Sequence, residues 1–180
     1  MPIAPGETAP DLELPATDGT MHSLSAGDAP ATVVYWTCNH CPYALAWQDR
    51  LNALADDYAE RGARVLAVNS NDARSHPADS FEAMAERVER EQWSHPYLHD
   101  ASQEVARAWG AERTPHLFVL DADRIVRYQG APDADYEDES QAAAWARGAL
   151  DAVLAGSAPS PEQTEAVGCT IKWRAAPAAG

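Results

Sequence analysis

The spacing of apolar residues changes along this chain, and each change marks an element. Ala31-Thr32-Val33-Val34-Tyr35-Trp36-Thr37 is apolar on both faces, as a central strand of a sheet reads. Arg64-Val65-Leu66-Ala67-Val68-Asn69 repeats that pattern. Between them, Leu45, Leu51, Leu54 and Tyr58 recur at helical spacing from Pro42 to Arg61, and Gly62 follows where a C-terminal cap belongs. A second amphipathic helix is predicted from Asp79 to Gln92, with Phe81, Met84, Ala85 and Val88 on one face. A short strand at Tyr97-Leu98 precedes a helix from Ser102 to Trp109, closed by Gly110. His116 to Leu120 and Ile125 to Tyr128 read as a hairpin across Asp121-Ala122-Asp123, and Gln141 to Leu154 as the last helix. At the front, Leu12-Glu13-Leu14 and Met21 to Leu24 flank the Asp18-Gly19 turn and predict another hairpin. Strands and helices alternate in the middle, there are no repeats, and a hairpin plus helix ends the set. The class is therefore α/β with a mixed sheet. The domain is expected over residues 1–156, followed by a Pro/Ser-rich linker and tail over 157–180.

Charge narrows the partners. Twenty-eight acidic against 13 basic residues give a net charge of −15, and Lys172 is the sole lysine. The acids are scattered, which reads as a solvated anionic surface. Such a surface repels nucleic acid and anionic membranes, so neither is expected as a partner. The opening Met1-Pro2-Ile3-Ala4-Pro5-Gly6-Glu7 has neither a basic nor an apolar leader region, and no apolar run approaches the ~18 residues of a membrane span. A cytoplasmic protein is expected, in a compartment that keeps thiols reduced.

The chemistry concentrates in Cys38-Asn39-His40-Cys41. Two cysteines separated by two residues, where a strand hands over to a helix, can close a small disulfide ring. The helix N-terminus favours a thiolate there, and His40 can add a positive charge or a hydrogen bond, so a redox dithiol is the leading reading. A metal site built on the CxxC is an alternative, but it needs further ligands at suitable spacing. Only Cys169 remains among the cysteines, and no histidine pair stands at ligand spacing. Two inert core thiols are the third reading. In a reducing compartment a CxxC points to cycling redox chemistry, with no cofactor implied.

Three features resemble the thioredoxin fold: the strand–CxxC–helix unit, Thr114-Pro115 directly before the strand His116 to Leu120, and the terminal hairpin and helix. The resemblance implies a three-layer sandwich with an N-terminal hairpin extension, and a cis Thr114–Pro115 bond beside the thiols. More narrowly, Gly6-Glu7-Thr8-Ala9-Pro10-Asp11-Leu12 together with Cys38-Asn39-His40-Cys41-Pro42-Tyr43 and Gly168-Cys169-Thr170-Ile171-Lys172-Trp173 resembles a CxxC-bearing, peroxiredoxin-like bacterial group. That group lies within the alkyl hydroperoxide reductase/thiol-specific antioxidant family. After Tyr43 that group has Val-Lys-His, where this chain has Ala44-Leu45-Ala46. Peroxiredoxins also place Thr and Pro before the peroxidatic cysteine and an Arg on a late strand. With Cys41 in that role, the corresponding positions hold Cys38, Val34 and Pro115. Thioredoxin's buried carboxylate before the CxxC has no counterpart between Pro30 and Cys38.

The resemblance implies a thiol–disulfide oxidoreductase in which Cys38 attacks and Cys41 resolves. His40 would tune the thiol toward a potential between about −270 and −180 mV. Thr114 and Pro115 would dock a partner chain, with Trp36 and Tyr43 lining the site. Protein or small-molecule disulfides would be the substrates, and a thioredoxin-reductase or glutathione-type system the reducing partner. A thiol peroxidase acting on hydroperoxides and a metallochaperone are the alternatives. Cys169 is a candidate third redox thiol, with inert packing as its alternative. His116 reads as the start of a strand, and His22, His76, His95 and His99 as surface or loop residues.

Overall fold

The computed structural model describes residues 1–177. Its centre is a five-stranded sheet of β3 (Ala31–Trp36), β4 (Arg64–Asn69), β5 (Tyr97–His99), β7 (His116–Asp121) and β8 (Val126–Gly130), in the order β5-β4-β3-β7-β8. β3 runs parallel to β4, β4 parallel to β5, and β7 antiparallel to both β3 and β8, so the sheet is mixed as predicted. The opening hairpin pairs β1 (Glu13–Pro15) with β2 (Met21–Ser23), and β6 (Arg113–Thr114) pairs with β9 (Cys169–Thr170). The helices are α1 (Pro42–Ala59), α2 (Phe81–Glu91), α3 (Glu104–Trp109) and α4 (Ala144–Leu154).

The alternation along β3 divides the core in two. Val33 and Tyr35 face a cluster holding Trp47, Leu51 and Leu54 of α1, Met84 of α2 and Leu150 of α4. Val34 and Trp36 face the other cluster, with Leu12 and Leu14 of the front hairpin, Trp109 of α3 and Ile171. The result is the three-layer sandwich. Each fully buried large side chain contributes roughly 1.5–3 kcal/mol, so both layers are needed for a stable chain. Leu45, expected on the apolar face of α1, is 46% exposed, because it lies on the far side of the helix from Trp47, Leu51 and Leu54, which meet the sheet.

Local signals explain the helix starts. Cys41 is the extended N-cap of α1, and Pro42 takes the first helical position, where its missing N–H would have had no partner. Ser80 caps α2 by accepting from the Ala83 N–H at 3.2 Å. That cap moves the helix start from the expected Asp79 to Phe81 and leaves Asp79 in a separate 3-10 turn, Pro77–Asp79. The last helix likewise starts at Ala144, after a 3-10 turn over Glu139–Gln141.

Beyond α4 the chain returns to the domain. Thr164 donates its N–H to the Gln129 carbonyl at 3.0 Å, and its Oγ1 accepts from the Ala131 N–H at 3.0 Å. Further on, the Lys172 N–H reaches Asn71 Oδ1 at 2.8 Å, and the Lys172 carbonyl accepts from Asp72 and Gln103. The segment expected as a tail over 157–180 therefore lies along the domain through these contacts, and residues 178–180 fall outside the described ones. No helix among the described residues is long and apolar enough to cross a membrane.

Candidate active site

Cys38 follows the end of β3 and Cys41 caps α1, so one short turn brings the two cysteines together. The Cys41 N–H donates to Cys38 Sγ at 3.3 Å, the kind of interaction that favours a thiolate at a helix start. Thr114 closes the site from the other side. Its Oγ1 lies 3.5 Å from Cys38 Sγ, and its carbonyl accepts from Cys41 Sγ at 3.3 Å. The Thr114–Pro115 bond is cis, as the resemblance implied. Cys38 is 1% exposed and Cys41 fully buried. Both thiols are free.

The two thiols titrate as a pair. Cys41 is pulled down to about 4, first because the Cys38 thiol donates to its sulfide, with burial opposing and the Cys169 thiol assisting. Cys38 is raised, first by that same bond to Cys41, then by burial and by the Asp79 carboxylate. The pair shares one lowered ionisation, set first by the bond between the two cysteines, with burial and the Asp79 carboxylate opposing charge on Cys38.

Asp79 is the residue the sequence reading missed. It is fully buried and organises the turn that carries the thiols. Its Oδ1 accepts from the Asn39 N–H at 2.6 Å and from Asn69 Nδ2 at 3.0 Å. Its Oδ2 accepts from Asn71 Nδ2 at 3.0 Å and lies 2.6 Å from His40 Nδ1. His40 Nδ1 therefore sits against Asp79, and its ring stacks on His76 with centroids 5.2 Å apart. The turn is also held by Arg87, whose Nη1 donates to the Cys38 carbonyl at 2.8 Å and to Asn39 Oδ1 at 3.1 Å. Arg87 is an arginine beside the thiols, but its guanidinium addresses backbone and amide oxygens, not sulfur. A signal for Asp79 existed in Pro77-Ala78-Asp79-Ser80, a turn just before a capped helix. Nothing in the sequence showed that this turn reaches back to residue 39.

Other expected site residues fall differently. Tyr43 is half-buried beside the cysteines, its ring against Tyr136 with centroids 4.4 Å apart. Trp36 does not line the site. Strand alternation turns it to the opposite layer, where it packs on Trp109 and Phe118 and donates Nε1–H to Ser70 Oγ at 2.9 Å. His116 is buried, its Nε2 2.8 Å from Gln129 Oε1, and burial lowers its pKa. His76 lies in a loop as expected, with its ring stacked on that of His40. His95 is buried against Tyr35, 2.7 Å from its hydroxyl, and burial pushes it down to about 4.

The docking edge expected at Thr114 and Pro115 is already paired. β9 sets Cys169 directly opposite Thr114, and Cys169 packs against Cys38 and Cys41.

Among the described residues, Cys38, His40 and Asp79 form a trio whose ligand atoms all lie within 4.8 Å of one another. The donor set suits a transition metal, but three amide or backbone N–H groups and His40 already surround both Asp79 oxygens. A metal would have to displace at least one of them.

Comparison with known proteins matches residues 5–129 to the AhpC/TSA family. The chain belongs to that family. It is 27% identical, over 69% of its own length and 68% of the relative's, to the thiol-disulfide oxidoreductase ResA of Geobacillus thermodenitrificans. A hypothetical protein from Sinorhizobium meliloti shares 37% identity and superposes with a TM-score of 0.93 over 98% of each chain. A peroxidoxin from Mycobacterium tuberculosis shares the fold alone, with a TM-score of 0.64 at 23% identity over 86% of this chain and 97% of that one. Family membership and the relative named a thiol-disulfide oxidoreductase support thioredoxin-like oxidoreductase activity.

Proposed function

We propose that this AhpC/TSA protein reduces or exchanges disulfides through a Cys38/Cys41 dithiol. The observation that carries the reading is the meeting of both cysteines at the N-terminus of α1, where the Cys41 N–H donates to Cys38 Sγ and Thr114 contacts both sulfurs. Cys38 attacks the substrate disulfide while its proton passes along the thiol–thiolate contact to Cys41. One substrate sulfur takes a proton from solvent and leaves as a thiol, and the other is held in a mixed disulfide with Cys38. Cys41 then attacks Cys38 Sγ, its proton passing to the second substrate sulfur, which leaves as a thiol as the Cys38–Cys41 disulfide closes. A thiol system of thioredoxin-reductase or glutathione type would return the pair to the dithiol. The relative named a thiol-disulfide oxidoreductase supports the same class.

The test is insulin reduction with dithiothreitol. Cys38→Ser should fall to the uncatalysed rate with the fold intact, and Cys41→Ser should accumulate mixed disulfides. Adducts trapped on Cys41 in Cys38→Ser, with Cys41→Ser still active, would reverse the two roles.

Hydroperoxide reduction is the second reading, favoured by the family and by sulfurs so buried that a small substrate reaches them more easily than a protein. It should be slow. The Thr, Pro and Arg positions of peroxiredoxins are not filled, and Arg87 is held by the Cys38 carbonyl, Asn39 and Glu91. Peroxide consumption at dedicated peroxiredoxin rates would promote this reading to first place.

A further inference from the structure

Thr114 serves two contacts at once. Its side chain and carbonyl address the two catalytic sulfurs, and its backbone pairs with Cys169. A residue opposite Thr114 in an antiparallel ladder sits beside whatever Thr114 touches. Cys169 accordingly packs against Cys38, Cys41 and Ala44, and of the three thiols it alone is partly exposed. The approach depends on Gly168, whose φ of +155° disfavours other residues and whose added Cβ would collide with the Thr114 carbonyl. Beyond the thiol the strand is fixed. Ile171 is buried in the core, and the Lys172 backbone bonds Asn71, Asp72 and Gln103. The chain thus holds its own cysteine on the edge where a partner's disulfide would otherwise lie.

Resting on the dithiol reading above, we propose that Cys169 is a third redox thiol that exchanges with the oxidised Cys38–Cys41 pair, carrying the disulfide from the buried pair to a Cys41–Cys169 bridge at the surface. Cys169 gives its proton to solvent and its sulfur attacks Cys41 Sγ. The Cys41–Cys169 bond forms as the Cys38–Cys41 bond breaks, and the electron pair of the broken bond leaves on Cys38, which takes a proton from solvent. One disulfide replaces another and no net electrons are transferred. A reducing dithiol then attacks the accessible Cys169 sulfur and closes to its own disulfide, leaving Cys41 and Cys169 as thiols.

The charges suit this order. In the reduced protein Cys169 is raised to about 11, first by burial and then by the bond to and charge of the Cys41 sulfide, while Lys172 and Arg113 oppose the rise. Once Cys41 is bonded in a disulfide its contributions vanish and the two cations remain. Cys169 therefore becomes a better nucleophile when there is a disulfide to attack.

The full chain, oxidised with diamide, blocked with N-ethylmaleimide and mapped by mass spectrometry without reduction, tests the proposal. Wild type should yield both Cys38–Cys41 and Cys41–Cys169 peptides. Cys38→Ser should form the Cys41–Cys169 bridge within one chain, and Cys169→Ser should show Cys38–Cys41 alone. Wild type with only the Cys38–Cys41 bridge, and Cys38→Ser with both remaining thiols blocked, would overturn the relay and leave the dithiol reading standing. Wild type with no bridge at all would overturn the dithiol reading as well. A Cys38–Cys169 bridge in place of Cys41–Cys169 would overturn the relay as drawn. The wild-type map alone decides the matter should a variant not fold.

Discussion

Asp79 shows how one buried carboxylate can shape a thiol site without touching sulfur. It anchors the Asn39 N–H, partners His40 and raises the Cys38 pKa by its charge. Asp79→Asn keeps the shape and removes the charge. The sign follows directly: without a negative neighbour the Cys38 thiolate forms more easily, so its pKa falls. Alkylation of Cys38 measured from neutral to alkaline pH should therefore rise at a lower pH in Asp79→Asn than in wild type. An unchanged profile would mean that Asp79 acts on the turn alone. For the pair as a whole, a first ionisation near 4 keeps a thiolate present throughout the neutral range. Thiolate absorbance should accordingly survive acidification to about pH 5 and disappear below it. The cysteines were legible because CxxC between strand and helix is a local pattern. Asp79 was not, because its bond to residue 39 spans a distance in sequence that no periodicity encodes.

Among the elements, α1 has two duties, since it carries the thiols at one end and fastens the loop before α4 at its middle. Arg50, nearly buried, donates to both oxygens of fully buried Asp133, and to the Asp135 and Tyr136 carbonyls. Asp133 also accepts from Trp47 Nε1 at 2.7 Å and from the Ala143 N–H at 2.8 Å. Asp133→Ala would leave the Arg50 charge buried without its partner. Breaking a buried pair in this way costs about 3–5 kcal/mol. Urea denaturation should show a loss of that size, and a loss under about 1 kcal/mol would show that water or a neighbour replaces Asp133. The strands and helices themselves were readable, because β3, β4 and α1 have strong two-sided or 3.6-residue patterns. Their ends were not always: a single serine cap moved the start of α2 past Asp79. Trp36 shows the same limit in a strand, since a fully apolar segment does not reveal which of its faces meets the site.

At the scale of the molecule, the sheet and helices build a thiol site and the returning chain covers it. That return was legible only in part, from Cys169 flanked by Gly168 and Trp173 in a polar tail. The Pro/Ser-rich composition after α4 reads as a linker, yet Thr164 and Lys172 hold the segment by backbone pairing and side-chain amides that composition does not report. The cover depends on close backbone approach at Gly168 beside Thr114. Gly168→Ala should detach β9 from β6 while sparing the central sheet, because the added Cβ collides with the Thr114 carbonyl of β6. Both sulfurs, now at most 1% exposed, would then open to solvent. Alkylation of Cys38 and Cys41 by iodoacetamide should rise severalfold in the variant, and reduction of a bulky protein disulfide should gain more than reduction of a small aliphatic one. Equal gains on both substrates would mean that the strand hinders access to sulfur but not partner docking. Unchanged alkylation, with the far-ultraviolet spectrum also unchanged, would show that β9 does not guard the thiols.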